Sequence, residues 1–103
     1  MASYNVELLP AAYEDLEDIF DYILLDNPAA AENMFDKIMT SLRRLEEFPH
    51  SGVRIIDDAL KHYDFRMLIA GPYVAFYRLI DGTIYVYRIL HGARNYIDIL
   101  KNK

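Results

Sequence analysis

Apolar positions recur at helical spacing through the first half of the chain and alternate with polar ones through much of the second. Residues 4–9 read as a short strand, with Val6 and Leu8 on one face and Glu7 on the other. Pro10 suits the first turn of a helix, where its missing N–H has no partner to lose. From there Ala12, Leu16, Ile19, Phe20, Ile23 and Leu24 form one apolar stripe. Glu14, Asp15, Glu17 and Asp18 crowd the early turns, where the helix dipole favours anions. Asn27-Pro28 stops this helix and starts another, Asn as cap and Pro as first helical residue. The second stripe is Ala31, Met34, Phe35, Ile38, Leu42, Leu45 and Phe48, ending at Pro49. So short a connection predicts an antiparallel helical hairpin.

Residues 49–58 read as a loop with Ser51-Gly52 as its turn, after which the period falls to two. Phe65, Met67 and Ile69 alternate with Arg66 and Leu68, and Ala70-Gly71-Pro72 turns the chain. Residues 73–80 and 83–91 form two strands rich in aromatic and β-branched side chains, joined by Asp81-Gly82, a strong hairpin signal. A two-residue turn pairs Ile80 with Thr83, Arg78 with Tyr85, Phe76 with Tyr87 and Val74 with Ile89 on one face. Leu79 with Ile84, Tyr77 with Val86, Ala75 with Arg88 and Tyr73 with Leu90 share the other. The second set is assigned to the helices, leaving the first, with Arg66 alongside, as an open face. Arg88 then needs an acid of the first helix, such as Glu17 or Asp21, unless the face assignment is inverted near that end. Ile97 and Leu100 fit a short closing helix. The predicted order is β-α-α-β-β-β, an α+β fold with a helical hairpin on a small, mainly antiparallel sheet.

Composition narrows the function. A chain of 103 residues is one domain, 1–103. No cysteine is present, which excludes disulfides, thiolate metal sites and a cysteine nucleophile. No metal and no cofactor are expected. No apolar run approaches the roughly 20 residues needed to span a bilayer, and no signal pattern opens the chain, so a cytoplasmic protein without membrane contact is expected. Acids outnumber bases 16 to 11, a net charge of -5. Nucleic-acid binders usually carry a basic excess, so any such contact has to come from a local patch.

The element order, the Asp-Gly hairpin and the run Tyr87-Arg88-Ile89-Leu90-His91-Gly92-Ala93-Arg94-Asn95-Tyr96 resemble the RelE/ParE family of toxin–antitoxin toxins. The acidic first helix and the Phe48-Pro49 ending of the second share that resemblance, which covers nearly the whole chain. It implies a toxin neutralised by a cognate antitoxin whose tail wraps it, as a homodimer or a toxin–antitoxin hetero-oligomer. RelE-like members cut mRNA in the ribosomal A site without a metal, using basic residues, whereas ParE-like members are associated with poisoning DNA gyrase. Carried over by position, Arg66 and Arg94 match basic residues of the nucleases and are the catalytic candidates. Asp64 and Val74 stand where the nuclease pattern has basic residues, and Leu100 falls where a terminal tyrosine is expected, with Tyr96 nearby.

Metal-free RNA cleavage needs a deprotonated 2′-hydroxyl, a protonated leaving oxygen and stabilised phosphorane charge. Arg66 and Arg94 could serve the last, but His91 is the one evident base, and a lone strand-end histidine is more simply a surface residue. His50 and His62 receive no role. Phe76, Arg78, Tyr85 and Tyr87 interleave aromatic and basic groups, as a base-stacking platform or an antitoxin groove would, although cross-strand packing explains the pattern equally well. The residues expected to contact target or antitoxin are Arg66, Phe76, Arg78, Tyr85, Tyr87, His91, Arg94 and Tyr96. The favoured expectation is a toxin that inhibits gyrase by binding. The alternatives are a ribosome-dependent endonuclease using Arg66 and Arg94, and an interaction module that has lost toxicity.

Overall fold

The computed structural model describes residues 3–92 and 95–101. Its elements are β1 (Asn5–Leu8), α1 (Pro10–Leu24), α2 (Pro28–Arg43), β2 (Val53–Arg54), β3 (Arg66–Ala70), β4 (Tyr73–Ile80), β5 (Thr83–His91) and α3 (Tyr96–Lys101). The five strands lie in the order β1-β5-β4-β3-β2, with β1 parallel to β5 and every other pair antiparallel. The α+β architecture is the one the pattern predicts, with β2 added inside the stretch read as a loop. β2 forms because the Ile55 N–H donates to the Phe65 carbonyl, which folds residues 53–54 back along β3.

Local chemistry explains the element ends. The Leu9 N–H donates to the Val86 carbonyl, the last bond between the first segment and β5, and Pro10 then opens α1. Asn27 caps α2 by accepting the Ala30 N–H at 3.1 Å. α2 tightens into a 3-10 turn at Arg44–Glu46, burying Leu45. Between β4 and β5, Asp81 and Gly82 sit at φ 50° and 81°, the left-handed pair that a type I′ turn requires.

Both faces of the sheet are covered, each by its own core. The hairpin α1–α2 packs on Tyr73, Ala75, Tyr77, Ile84, Val86 and Ile89, contributing Ala12, Leu16, Ile38 and Leu42. On the other face Val74, Phe76 and Leu90 meet Leu100 of α3 and Ile55, Leu60 and Phe65 from the segment between β2 and β3. The face expected to be open is therefore a second core, because α3 and residues 55–65 fold across it. Phe76 has no exposed surface.

The predicted register holds for four pairs from the turn, Ile80–Thr83 to Tyr77–Val86. A bulge then intervenes, and Phe76 pairs with Arg88, Ala75 with Ile89, Val74 with Leu90 and Tyr73 with His91. One extra residue in β5 turns the strand over. Ile89 thus faces the helices and Leu90 faces α3, the reverse of the expectation. Arg66 also changes side. It pairs with Tyr77, not with the Phe76 face, so it lies on the hairpin side of the sheet.

Candidate functional site

Arg66 stands at the start of β3 and donates from one guanidinium nitrogen to backbone. Its Nη1 donates to the Gly52 carbonyl at 2.9 Å and to the His50 carbonyl at 3.2 Å. The Tyr77 hydroxyl completes this clamp, donating to the Pro49 carbonyl at 2.8 Å and accepting the Gly52 N–H at 3.0 Å. Burial pushes the Tyr77 phenol above its ordinary pKa, opposed by the Gly52 hydrogen bond and the Arg66 charge. No space remains for a side chain at Gly52, where a Cβ would stand 2.6 Å from the Tyr77 hydroxyl and 2.8 Å from the Met67 carbonyl. Arg66 and Tyr77 together hold residues 49–52 against the sheet.

Arg78 is half-buried among aromatic rings. Its guanidinium carbon lies 5.7 Å from the ring centres of both Tyr63 and Phe65, and 5.9 Å from that of Tyr87. Its Nε donates to the Tyr63 carbonyl, and its Nη1 donates to the Tyr87 hydroxyl at 3.1 Å. Tyr85 is half-buried opposite Arg78 and pairs with Glu7 of β1 on its other side. Tyr96 stacks on Phe76 with ring centres 5.1 Å apart and 17° between planes. His91 is exposed and meets Tyr73 edge to face at 5.3 Å. Arg94 lies outside the described residues. The expected site residues that are described thus do not converge on one surface. Arg78 and Tyr87 meet, Phe76 and Tyr96 meet within the second core, and Arg66 and His91 stand apart.

Two of the acids, Asp64 and Asp15, are paired. Asp64 accepts from Arg54 Nε at 2.8 Å, an exposed pair. Arg88 does pair with an acid of α1, but the acid is Asp15, not Glu17 or Asp21. Arg88 donates from Nε to Asp15 Oδ2 at 2.7 Å and from Nη2 to Oδ1 at 2.9 Å, and the Ile89 N–H reaches Oδ2 at 2.9 Å. This partly buried contact with Asp15 raises the Arg88 pKa. Among the described residues, no group of three or more His, Asp or Glu side chains could hold a metal ion. No described helix is long and apolar enough to cross a membrane.

A different surface stands out. On the outer side of the hairpin a groove of about 480 Å³ runs between α1 and α2, with Tyr13, Phe20 and Phe35 in its walls and Glu17 and Glu32 at its rim. Phe20 and Phe35 meet edge to face at 6.1 Å. Tyr13, Tyr22 and Leu25 are 59, 77 and 89% exposed, and they extend this apolar strip to the hairpin tip. Sequence reasoning passed over the groove, although a signal was present: these three fall outside the buried stripe of α1. Phe35, counted into the stripe of α2, lies 40% exposed at the groove.

The family described as the ParE toxin of type II toxin–antitoxin systems, parDE, matches residues 6–96. The chain belongs to this family. The ParE-family assignment is accompanied by a relative, Toxin RelE2 of Caulobacter vibrioides, 35% identical over 83 residues that cover 81% of this chain and 89% of that protein. Two solved structures share the fold at 19% identity. The chromosomal ParDE toxin–antitoxin system of P. aeruginosa superposes with a TM-score of 0.72 over 87% of this chain and 97% of that one. The RelBE2 toxin–antitoxin complex of Mycobacterium tuberculosis does so at 0.62, over 90% and 95%. Within this ParE-family toxin the hairpin and, apart from Asn5, the sheet lie within the matched residues, whereas of α3 only Tyr96 does.

Proposed function

We propose that this ParE-family toxin acts by binding, with DNA gyrase as its target, and that a cognate antitoxin silences it from the outer face of the hairpin. The observation that carries the reading is the state of Arg66. A cation that stabilises a phosphorane has to be free to face it. Arg66 instead donates to two backbone carbonyls on the hairpin side of the sheet. Val74 is buried, Asp64 is paired and the half-buried Arg78 is held among rings, so a cationic platform for RNA does not assemble among the described residues. An exposed apolar groove, in contrast, is a protein-binding feature. Acids outnumber bases eight to two between residues 10 and 43. The complementary antitoxin segment is an amphipathic helix with a basic flank.

The test is a pair of assays on the purified toxin. Inhibition of gyrase supercoiling, reversed by the antitoxin, is the expected result. Arrest of translation with supercoiling untouched overturns it. The second reading, ribosome-dependent mRNA cleavage with Arg66 and Arg94, draws support from the 35% identity to a protein named RelE2. Cleavage mapped in a translation extract and lost in Arg94→Ala would establish it.

A further inference from the structure

Where β5 runs on past the end of β1, its edge is flanked by α1 on one side and α3 on the other. Two hollows open there. One, of about 350 Å³, is walled by Leu9, Pro10, Tyr87 and Leu100. The other, of about 230 Å³, is bordered by Asp15, Asp18, Ile89 and His91. Arg88 and Ile99 line both, so the two are lobes of one cleft. The lobes differ in chemistry. The first is apolar and closed at its end by a proline and two aliphatic side chains. The second carries two carboxylates, and their charges are unequally used. Asp15 is satisfied by Arg88 and the Ile89 N–H. Asp18 is exposed on α1, and no described cation lies in ion-pair range of it. An exposed acid with no cation in ion-pair range among the described residues, beside an apolar lobe, selects a ligand with a bulky apolar group next to a cation.

We infer that this cleft is a second docking site, distinct from the hairpin groove, for a peptide segment of a partner protein carrying a large aliphatic residue followed closely by a lysine or arginine. The aliphatic side chain fills the lobe at Pro10 and Tyr87, and the cation lies against Asp18. Arg88, held by Asp15, forms the wall between them and keeps the first lobe from collapsing. The inference does not depend on which target the toxin acts upon.

Three blocked peptides serve as probes, acetyl-Leu-Lys-amide and its forms with one or two intervening glycines, titrated into the isotope-labelled full chain. The expected result is that at least one shifts the amide signals of Ala11, Arg88 and Ile99 and saturates at millimolar concentration, the range suited to so small a ligand. Asp18→Lys, an exposed change on α1, weakens that binding at least about tenfold. The same variant gains binding of the matching peptide with glutamate in place of lysine. An otherwise unchanged spectrum of the variant verifies its fold. Absence of shifts with all three peptides overturns the proposal, as do shifts confined to the groove at Tyr13 and Phe35, or binding indifferent to Asp18→Lys. Supercoiling inhibition plays no part in the readout, so failure here and failure of the gyrase reading are separate results.

Discussion

At Asp15 one carboxylate accepts two hydrogen bonds from Arg88 and a third from the Ile89 N–H. That third donor lies on the edge of β5 that β1 no longer reaches, so the side chain replaces a missing strand. Asp15→Ala strips the half-buried guanidinium and the N–H of their acceptors together. A loss of about 2–3 kcal/mol in chemical denaturation is expected, with Asp15→Asn falling between it and the wild type. Arg54→Ala, which breaks the exposed pair with Asp64, should change stability by no more than about 0.5 kcal/mol in the same assay. Tyr77 supplies a pH dependence. Its phenol ionises with more difficulty in the folded chain than in the unfolded one, so its contribution is fully present below pH 10.0 and is lost as pH rises through the higher folded value. Denaturation midpoints should therefore fall on the alkaline side of pH 10.0, and Tyr77→Phe should flatten that fall while lowering stability at neutral pH. Each of these residue types could be read from the chain. Their partners could not, since alternation put Arg88 towards the acidic first helix without singling out Asp15, and the bulge beside it in β5 has no short-range signal.

Between elements, α3 matters beyond its six residues. It closes the second core through Leu100, which is 1% exposed, and through the Tyr96 ring on Phe76. Leu100→Ala should cost about 2–4 kcal/mol. Truncation after residue 95 should uncover Val74, Phe76 and Leu90, and the shortened chain should bind an apolar dye that the full chain ignores. The bulge is the other decision made at this scale. Up to Val86 the Asp-Gly turn sets the pairing, and strict alternation predicts which side chains face the hairpin. Past it, Tyr87 is the added residue, and the strand presents its other parity to each face. The second core takes Leu90 as a result, and the surface proposed from alternation alone disappears beneath α3.

For the whole molecule, charge and shape point the same way. A chain of net charge -5 that keeps Arg66 on carbonyls and Arg78 among rings should show no steep, salt-dependent affinity for RNA, a result that filter binding at two ionic strengths would check. Tight RNA binding that collapses with added salt would contradict it. The amino-acid sequence by itself determined the hairpin, the strands β4 and β5, the closing helix, the acidic balance and the family, because periodicity, caps and turn residues act over a few positions. Tertiary structure alone decided that the sheet carries a second core on the face away from the hairpin, that Arg66 lies on the hairpin side, and that Asp15 is the partner of Arg88. It also decided that the exposed apolar surface lies between α1 and α2, where Phe20 and Phe35 leave a groove that their own helices do not fill. The second core depends on one added residue in β5 and on segments distant in sequence folding across the sheet, and such long-range packing leaves no periodic trace in the chain.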